Sequence, residues 1–413
     1  TVYFSFLTFS SKIGFMNTKV LNTLEFNKIM EQLADCATSA PGKKLCLELQ
    51  PLTSIQQIEH LQQETSDAFR HMMKKDSFSC YGLMDMHSIE KHLSIASALN
   101  CSELLSVVRL LQLTETAKQF GQEGRSFESN DSLSSFFNAL DSLSTLCKTI
   151  NRSILSEEEI ADEASSTLSS IRREINKTND RIRSSLNKTL QHQKTREYLS
   201  DTIITTRDGR YCLPVRAEFK NKIPGMVHDQ SSSGNTLFIE PMFAVEANNH
   251  LRELYLQEKE EIHKILVNLS QLVNESIGSI IQNYEILSQL DFIFARATLA
   301  YKQNAMRPIF NQEGRISLRQ ARHPLLPIAT VVPIDVTLGS SYSTLIVTGP
   351  NTGGKTVSLK IVGLLSLMGQ SGLFIPSADH SELSVFEHIY ADIGDEQSIE
   401  QSLSTFSSHM KNI

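Results

Sequence analysis

Thr344-Leu345-Ile346-Val347-Thr348-Gly349-Pro350-Asn351-Thr352-Gly353-Gly354-Lys355-Thr356-Val357 is the stretch on which the reading of this chain turns. Its first five residues form a short β-branched run, expected to be a buried parallel strand. A glycine-rich loop follows at once, and Val357 to Gln370 then reads as an apolar helix. Strand, GxxxxGK[ST] and helix in that order make a P-loop. Gly349, Gly353 and Gly354 let backbone N–H groups wrap a triphosphate without a Cβ clash, and Pro350, Asn351 and Thr352 complete the loop. The helix N-terminus adds a favourable field for an anion. Lys355 is expected to neutralise β/γ-phosphate charge, and the Thr356 hydroxyl to ligate Mg²⁺. ATP with Mg²⁺ is therefore the expected cofactor.

Phosphoryl transfer also needs an acidic Mg²⁺ ligand at the end of a hydrophobic strand. Val385-Phe386-Glu387-His388-Ile389-Tyr390-Ala391-Asp392 is the nearest run, and Glu387 and His388 make it too polar for a buried central strand. The nucleotide domain, residues 319–413, thus reads as a partial one without its catalytic half, and no catalytic residue is assigned.

Upstream lies a different pattern. Ala164, Leu168, Ile171, Ile175, Thr178 and Ile182 follow a heptad seam, and the spacing predicts one helix from about Glu158 to Leu199. A matching seam returns at Leu251, Tyr255, Glu258, Ile262, Ile265, Leu269 and Leu272. Between them, residues 203–243 hold short β-like runs: Ile203-Ile204-Thr205-Thr206, Tyr211-Cys212-Leu213 and Thr236-Leu237-Phe238-Ile239. Asp208-Gly209, Pro224-Gly225 and Ser233-Gly234 punctuate them as turns. Two long helices flanking a small β insertion must fold back antiparallel, which makes residues 156–275 an arm. Residues 16–155 read as successive helices, with Phe26, Ile29, Met30 and Leu33 on one face and Thr23 and Ser54 as N-caps. Residues 276–318 return as helix.

The chain's net charge is −7, so nothing global points to nucleic acid. Residues 171–196, however, hold eight basic side chains against only Glu174 and Asp180. Arg172, Arg173, Lys177, Arg181, Arg183 and Lys188 on this helix, with Arg207, Arg210, Lys220 and Lys222 at the tip, are the candidate phosphate contacts. The competing reading is a solvated coiled-coil exterior. No groove-reading motif or aromatic ladder accompanies the charge, so sequence-specific readout is not expected. The six cysteines have no CxxC spacing and read as reduced thiols of a cytoplasmic protein. No apolar run approaches the roughly 20 residues of a membrane span. Residues 1–15 read as an upstream or non-native segment and not as a signal peptide.

Three blocks carry a family likeness. One is Asp162-Glu163-Ala164-Ser165 with Ile171-Arg172-Arg173-Glu174-Ile175; another runs from Arg207-Asp208-Gly209-Arg210-Tyr211 to Ile239-Glu240-Pro241. The last is the P-loop followed by Ser404-Thr405-Phe406. Across residues 16–413 the chain resembles the bacterial MutS family, and within it the second paralogue, which lacks the mismatch-reading domains. The resemblance implies a multidomain, mainly α protein. Its parts would be a helical lever, an antiparallel coiled-coil clamp arm with a small β insertion, and an ABC-type α/β ATPase domain working as a homodimer. In such dimers a helix N-terminus of one subunit caps the γ-phosphate held by the other, and Ser402, Ser404 and Thr405 match that segment, although Ser402 also reads as a plain N-cap. The resemblance further implies two targets: branched or recombining DNA, with suppression of homologous recombination, and collided 70S ribosomes with their rRNA, split by ATP-driven motion. A terminal nuclease domain belongs to the family pattern, and no residue of this chain matches it.

Two other classes compete. A chromosome-organising coiled-coil ATPase would place its P-loop before the coiled coil, whereas Gly349 follows it here. A passive nucleotide-binding protein without turnover fits the missing acidic strand.

Overall fold

The computed structural model describes residues 18–74, 78–95, 98–122, 131–348 and 354–393. Helices α1 to α4 span Thr18–Thr23, Phe26–Ala34, Ala40–Leu47 and Ile55–Lys74. Next come α5 (Met86–Ile95), α6 (Cys101–Gln122), α7 (Ser134–Ala139) and α8 (Ser144–Ser153). The arm region holds α9 (Ser166–Gln191), α10 (Gln193–Arg196), β1 (Thr205–Arg207), β2 (Arg210–Arg216), β3 (Gly225–Gln230), β4 (Thr236–Pro241) and α11 (Met242–Glu275). After it follow α12 (Ile277–Gln303), β5 (Ile309–Asn311), β6 (Ile316–Ala321), β7 (Ile334–Leu338), α13 (Lys355–Gln370) and β8 (Glu382–Ser384). The chain is thus mostly helical with two small sheets. It divides into two compact units: Thr1–Met86, Arg109–Ser142 and Ser279–Ile413 in one, His87–Val108 and Leu143–Gly278 in the other.

In the first unit the apolar spacing of α2 does what it implies, since Phe26, Ile29, Met30 and Leu33 are all buried. They join Leu24, Ile58, Phe292, Leu318 and the Ile361, Leu364, Leu365 and Met368 side of α13 in one core. Thr23 does not cap α2. It closes α1 by donating its hydroxyl to Lys19 O at 2.9 Å, and Glu25 takes the N-cap position of α2 with φ 59°. The C-terminal end of α13 is tied down by amide side chains. Gln62 Nε2 donates to Gly369 O and Leu373 O, and Gln370 Nε2 to Leu52 O and Phe386 O, all within 2.9 Å.

The sheet of this unit has the order β5-β8-β6-β7, with β5 and β8 parallel and β6 antiparallel to both neighbours. Thr344–Thr348 is not part of it. That run forms no strand, and Leu345, Ile346 and Val347 are 46%, 80% and 43% exposed. The expectation of a buried parallel strand is therefore corrected. β-branched residues favour an extended chain, but a buried strand also needs neighbours to complete its hydrogen-bond ladder, and among the described residues none lies alongside. Residues 385–392 likewise carry no strand; the pairing stops at Ser384.

In the second unit α9 and α11 pack along each other and carry the sheet β1-β2-β4-β3. Ser165 Oγ meets Glu261 Oε1 at 2.7 Å and Arg172 Nε meets Glu258 Oε1 at 2.7 Å, so partner numbers fall as α9 ascends and the two helices are antiparallel. Leu168, Ile175, Thr178 and Ile182 of the seam are buried, and Leu186 and Leu190 extend it. Near the sheet, Ile182, Leu186 and Leu190 meet Leu213, Val215, Leu237 and Ile239 of the strands and Leu251 and Leu254 of α11.

Three expectations change here. The helix begins at Ser166, capped by the Ser165 hydroxyl, which accepts from Leu168 N at 2.9 Å, and it ends at Gln191. At His192 the backbone turns extended (φ −72°, ψ 120°), and the chain then hydrogen-bonds the sheet edge through Ser200 N to Pro214 O and Arg216 N to Tyr198 O. The resulting helix is about 39 Å long at 1.5 Å per residue. On α11 Leu251, Ile265 and Leu269 of the expected seam are buried, but Leu254 and Val273 take the buried places of Tyr255 and Leu272, which are 47% and 40% exposed. From Leu251 to Leu269 is about five turns at 3.6 residues per turn, the period of a straight helix and not of a sustained heptad seam. Finally, β3 is an edge strand that the sequence reading missed, because Met226 and Val227 are exposed and its pattern does not alternate.

Candidate nucleotide site and cationic helix face

Gly349 to Gly353 lie outside the described residues, as do Ser402, Ser404 and Thr405. Gly354 is described, and it holds the N-cap of α13 at φ 81°, ψ 13°. A Cβ there would meet nothing within 4 Å, so the left-handed backbone, and not crowding, is what calls for glycine. No side chain caps the helix, and its first internal bond runs from Ser358 N to Gly354 O at 2.9 Å. The amides of the first turn therefore face outward with the positive end of the helix dipole. Lys355 is half-buried and Thr356 exposed in that same turn. A cap made by backbone alone, one cation and one free hydroxyl fit a Mg²⁺-bound polyphosphate.

One turn further along, Lys360 leaves α13 towards the α1–α2 corner. Its Nζ lies 2.9 Å from Glu25 Oε2, and Lys28 Nζ lies 2.6 Å from Glu25 Oε1. Hydrogen bonds from Lys28 and then Lys360 hold the Glu25 carboxyl down at about 2. Its folded value lies below its ordinary 4.5. The contribution of these two pairs to stability is therefore fully present above about pH 4.5 and is lost as pH falls towards 2. Acid titration followed by the thermal midpoint is expected to show a loss in that window that Glu25→Gln abolishes. Glu25, Lys28, Thr356 and Lys360 line a cleft of about 600 Å³ together with the buried His323 and the exposed Leu326. His323 accepts from Leu325 N at Nδ1 (3.3 Å), and burial pushes its pKa down, opposed by the charge of Glu25 and aided by that of Lys360.

The ten candidate phosphate contacts separate into two groups. Arg172 lies on the flank of α9 facing α11, where its guanidinium reaches Asp162 Oδ1 (2.5 Å), Glu258 Oε1 (2.7 Å) and Ile160 O (2.7 Å). Burial opposes its charge, and the bonds to Asp162 and Glu258 outweigh that and raise its pKa. Arg210 is bidentate to Glu240 at 2.8 and 3.0 Å and also donates to Asn249 Oδ1. Arg207 pairs with Asp229 at 2.9 Å and stacks 3.9 Å from the Phe238 ring centre. These three arginines hold the arm together.

Arg173, Lys177, Arg181 and Lys188 are exposed. At 100° per residue they fall within about 80° of helix surface, roughly opposite the buried seam, and span about 22 Å along the axis. Only Lys177 has an ion-pair partner among the described residues, Glu174 at a loose 3.6 Å. Arg183 is also exposed, 5.7 Å from the Tyr211 ring centre, and Lys220 and Lys222 are exposed in the 3-10 turn Ala217–Lys222.

Sequence reasoning missed Glu240. It is fully buried and accepts from Arg210, from His228 Nε2 at 2.5 Å and from Asn248 Nδ2 at 2.7 Å. A charged residue at the end of the apolar run Leu237-Phe238-Ile239 was the available signal. Glu25 was missed too, and no local pattern marks it.

Residues 345–413 match the family model described as MutS domain V, the ATPase domain of that family. Over 398 residues, 96% of this chain, the sequence is 54% identical to a protein of Agathobacter rectalis named endonuclease MutS2. Proteins of the same name from Lachnoclostridium phytofermentans and Acetivibrio thermocellus are 49% and 46% identical over 96% of the chain. The chain belongs to the MutS family. It spans about half the length of these relatives, since the match covers 50% of each. Among the described residues no helix is long and apolar enough to cross a membrane, and no group of His, Cys, Asp and Glu is placed to hold a metal by itself.

Proposed function

We propose that this chain is the nucleotide-binding and arm-bearing part of an ATP-dependent clamp that closes on a nucleic-acid assembly. The observation that carries the reading is Gly354, Lys355 and Thr356 at the open, uncapped start of α13, in the segment related to MutS domain V. Backbone amides of Gly349 to Gly354 hold the phosphates, Lys355 neutralises them and Thr356 positions Mg²⁺. Mg²⁺ held there would supply charge neutralisation to the phosphates. Two copies act together, with Ser402, Ser404 and Thr405 of one copy placed towards the γ-phosphate on the other. ATP drives closure only if the closed pair binds it more tightly than the open one.

The antiparallel helices α9 and α11, with their sheet, form the arm of the clamp. Its phosphate-facing surface is the stripe Arg173, Lys177, Arg181 and Lys188, which contacts backbone and reads no sequence. DNA is the target the relatives favour, since their name, endonuclease MutS2, is that of nucleases. Replacing the four stripe residues by glutamine is expected to weaken duplex or branched DNA binding at least tenfold at low salt. The same change should reduce the slope of log K against log salt by about 3 to 4, near 0.9 for each phosphate contact removed. Arg172→Gln, which breaks an internal ion pair, should lower thermal stability and leave that slope in place. An unchanged slope in the stripe variant would remove the stripe from the interface.

A further inference from the structure

The corner between α1 and α2 grips α13 at two points, one in its nucleotide-proximal half and one at its middle. One is apolar: a Cβ on Gly363 would lie 2.8 and 3.0 Å from the two Leu24 methyl carbons, so the leucine, 1% exposed, sits in a notch that only glycine leaves open. The other is ionic, the Glu25–Lys360 pair at 2.9 Å, with both side chains about three-quarters covered. Between them the corner meets α13 at residues 360 and 363, directly behind Lys355 and Thr356. Glu25 is a non-glycine residue in the left-handed region (φ 59°, ψ 29°). Such a conformation persists where the surroundings over-determine it, and here the surroundings are the two lysines and the packed Leu24. The far end of α13 is separately pinned by Gln62 and Gln370. Glu25 is therefore not needed to hold the helix in the fold, and what it constrains is the near end.

We infer that Glu25 is a positioning residue for the nucleotide site: through Lys360 it sets where the first turn of α13 presents Lys355 and Thr356, and so couples the α1–α2 corner to nucleotide occupancy. This rests on the nucleotide reading above. Lys360 lies four residues after Thr356, on the same side of the helix, and shares the cleft with it. A displacement of the corner therefore moves the turn that meets the phosphates, and by reciprocity a bound polyphosphate restrains the corner.

The test titrates the chain and its variants with a fluorescent ATP analogue and Mg²⁺, well below their thermal midpoints. Glu25→Gln and Lys360→Gln are each expected to weaken binding by about five- to twentyfold, the lower part of the ordinary range for coupling between sites. The double variant should bind no more weakly than either single one, and the swap Glu25→Lys with Lys360→Glu should recover most of the loss. Hydrogen exchange at residues 18–34 should slow on nucleotide addition in the unaltered chain and not in Glu25→Gln. A pair with a purely structural role would lower the thermal midpoint and leave both the affinity and this exchange response unchanged. Single variants that bind as tightly as the unaltered chain, while Lys355→Ala does not, overturn the positioning role and leave the nucleotide site standing. An unaltered chain that retains no nucleotide overturns both. Should Glu25→Gln fail to fold, Lys360→Gln carries the same prediction from the other partner.

Discussion

Lys355→Ala is expected to weaken Mg-ATP binding by about a hundredfold, near 2.7 kcal/mol, the upper range for one charge-assisted contact to phosphate. The lysine sits half-buried in the first turn of a helix that has no side-chain cap, and the other cations of the cleft, Lys28 and Lys360, are already paired with Glu25. Stability should change little. The helix is held by Ile361, Leu364, Leu365 and Met368 in the core and by the amide bonds at its C-terminal end, none of which involves Lys355. A titration calorimeter reads the affinity and a thermal melt reads the fold. Near-normal affinity in the variant would mean that the phosphates do not sit where the loop and α13 meet. Thr356→Ala should show its loss chiefly as a weakened dependence on Mg²⁺, because the hydroxyl is the metal's expected contact.

Glu240→Ala is expected to destabilise the arm unit by about 3 to 5 kcal/mol, the effect of removing one partner from a buried ionic cluster. The carboxylate is fully buried, and Arg210, His228 and Asn248 all donate to it. Alanine leaves Arg210, only 16% exposed, without its counter-charge. The loss should be local: hydrogen exchange across β2, β3 and β4 accelerates, while the unit that contains α13 keeps its protection. Double substitution with Arg210→Met should recover part of the stability, since a buried pair replaced as a whole leaves no orphan charge. A change below about 1 kcal/mol, the scale of surface ion pairs, would contradict the central place given to Glu240.

These two sites differ in how visible they are in the sequence. The P-loop pattern is local: it is written in eight consecutive residues, and Gly354 adopts the left-handed geometry that its residue type permits. The α9 seam is local as well, since periodicity places Leu168, Ile175, Thr178 and Ile182 on one side and the stripe cations on the other. Arg172 and Arg210 show the limit of such reading. In the sequence they look like any exposed arginine of a basic run. Only folding brings Glu258, distant along the chain, against one, and Glu240 and Asn249 against the other. The same holds for Thr344–Thr348, whose composition favours a strand while strand formation itself depends on neighbours.

The sequence by itself determined the glycine-rich P-loop pattern, the apolar seam of the first arm helix and the family likeness, because each is written in residues close together or at a fixed period. Tertiary structure alone decided which cations stay free, where the arm helix stops and that Glu25 reaches the P-loop helix. Those outcomes depend on charges and backbone groups far apart along the chain, whose pairing is settled only when burial makes an unpartnered one costly.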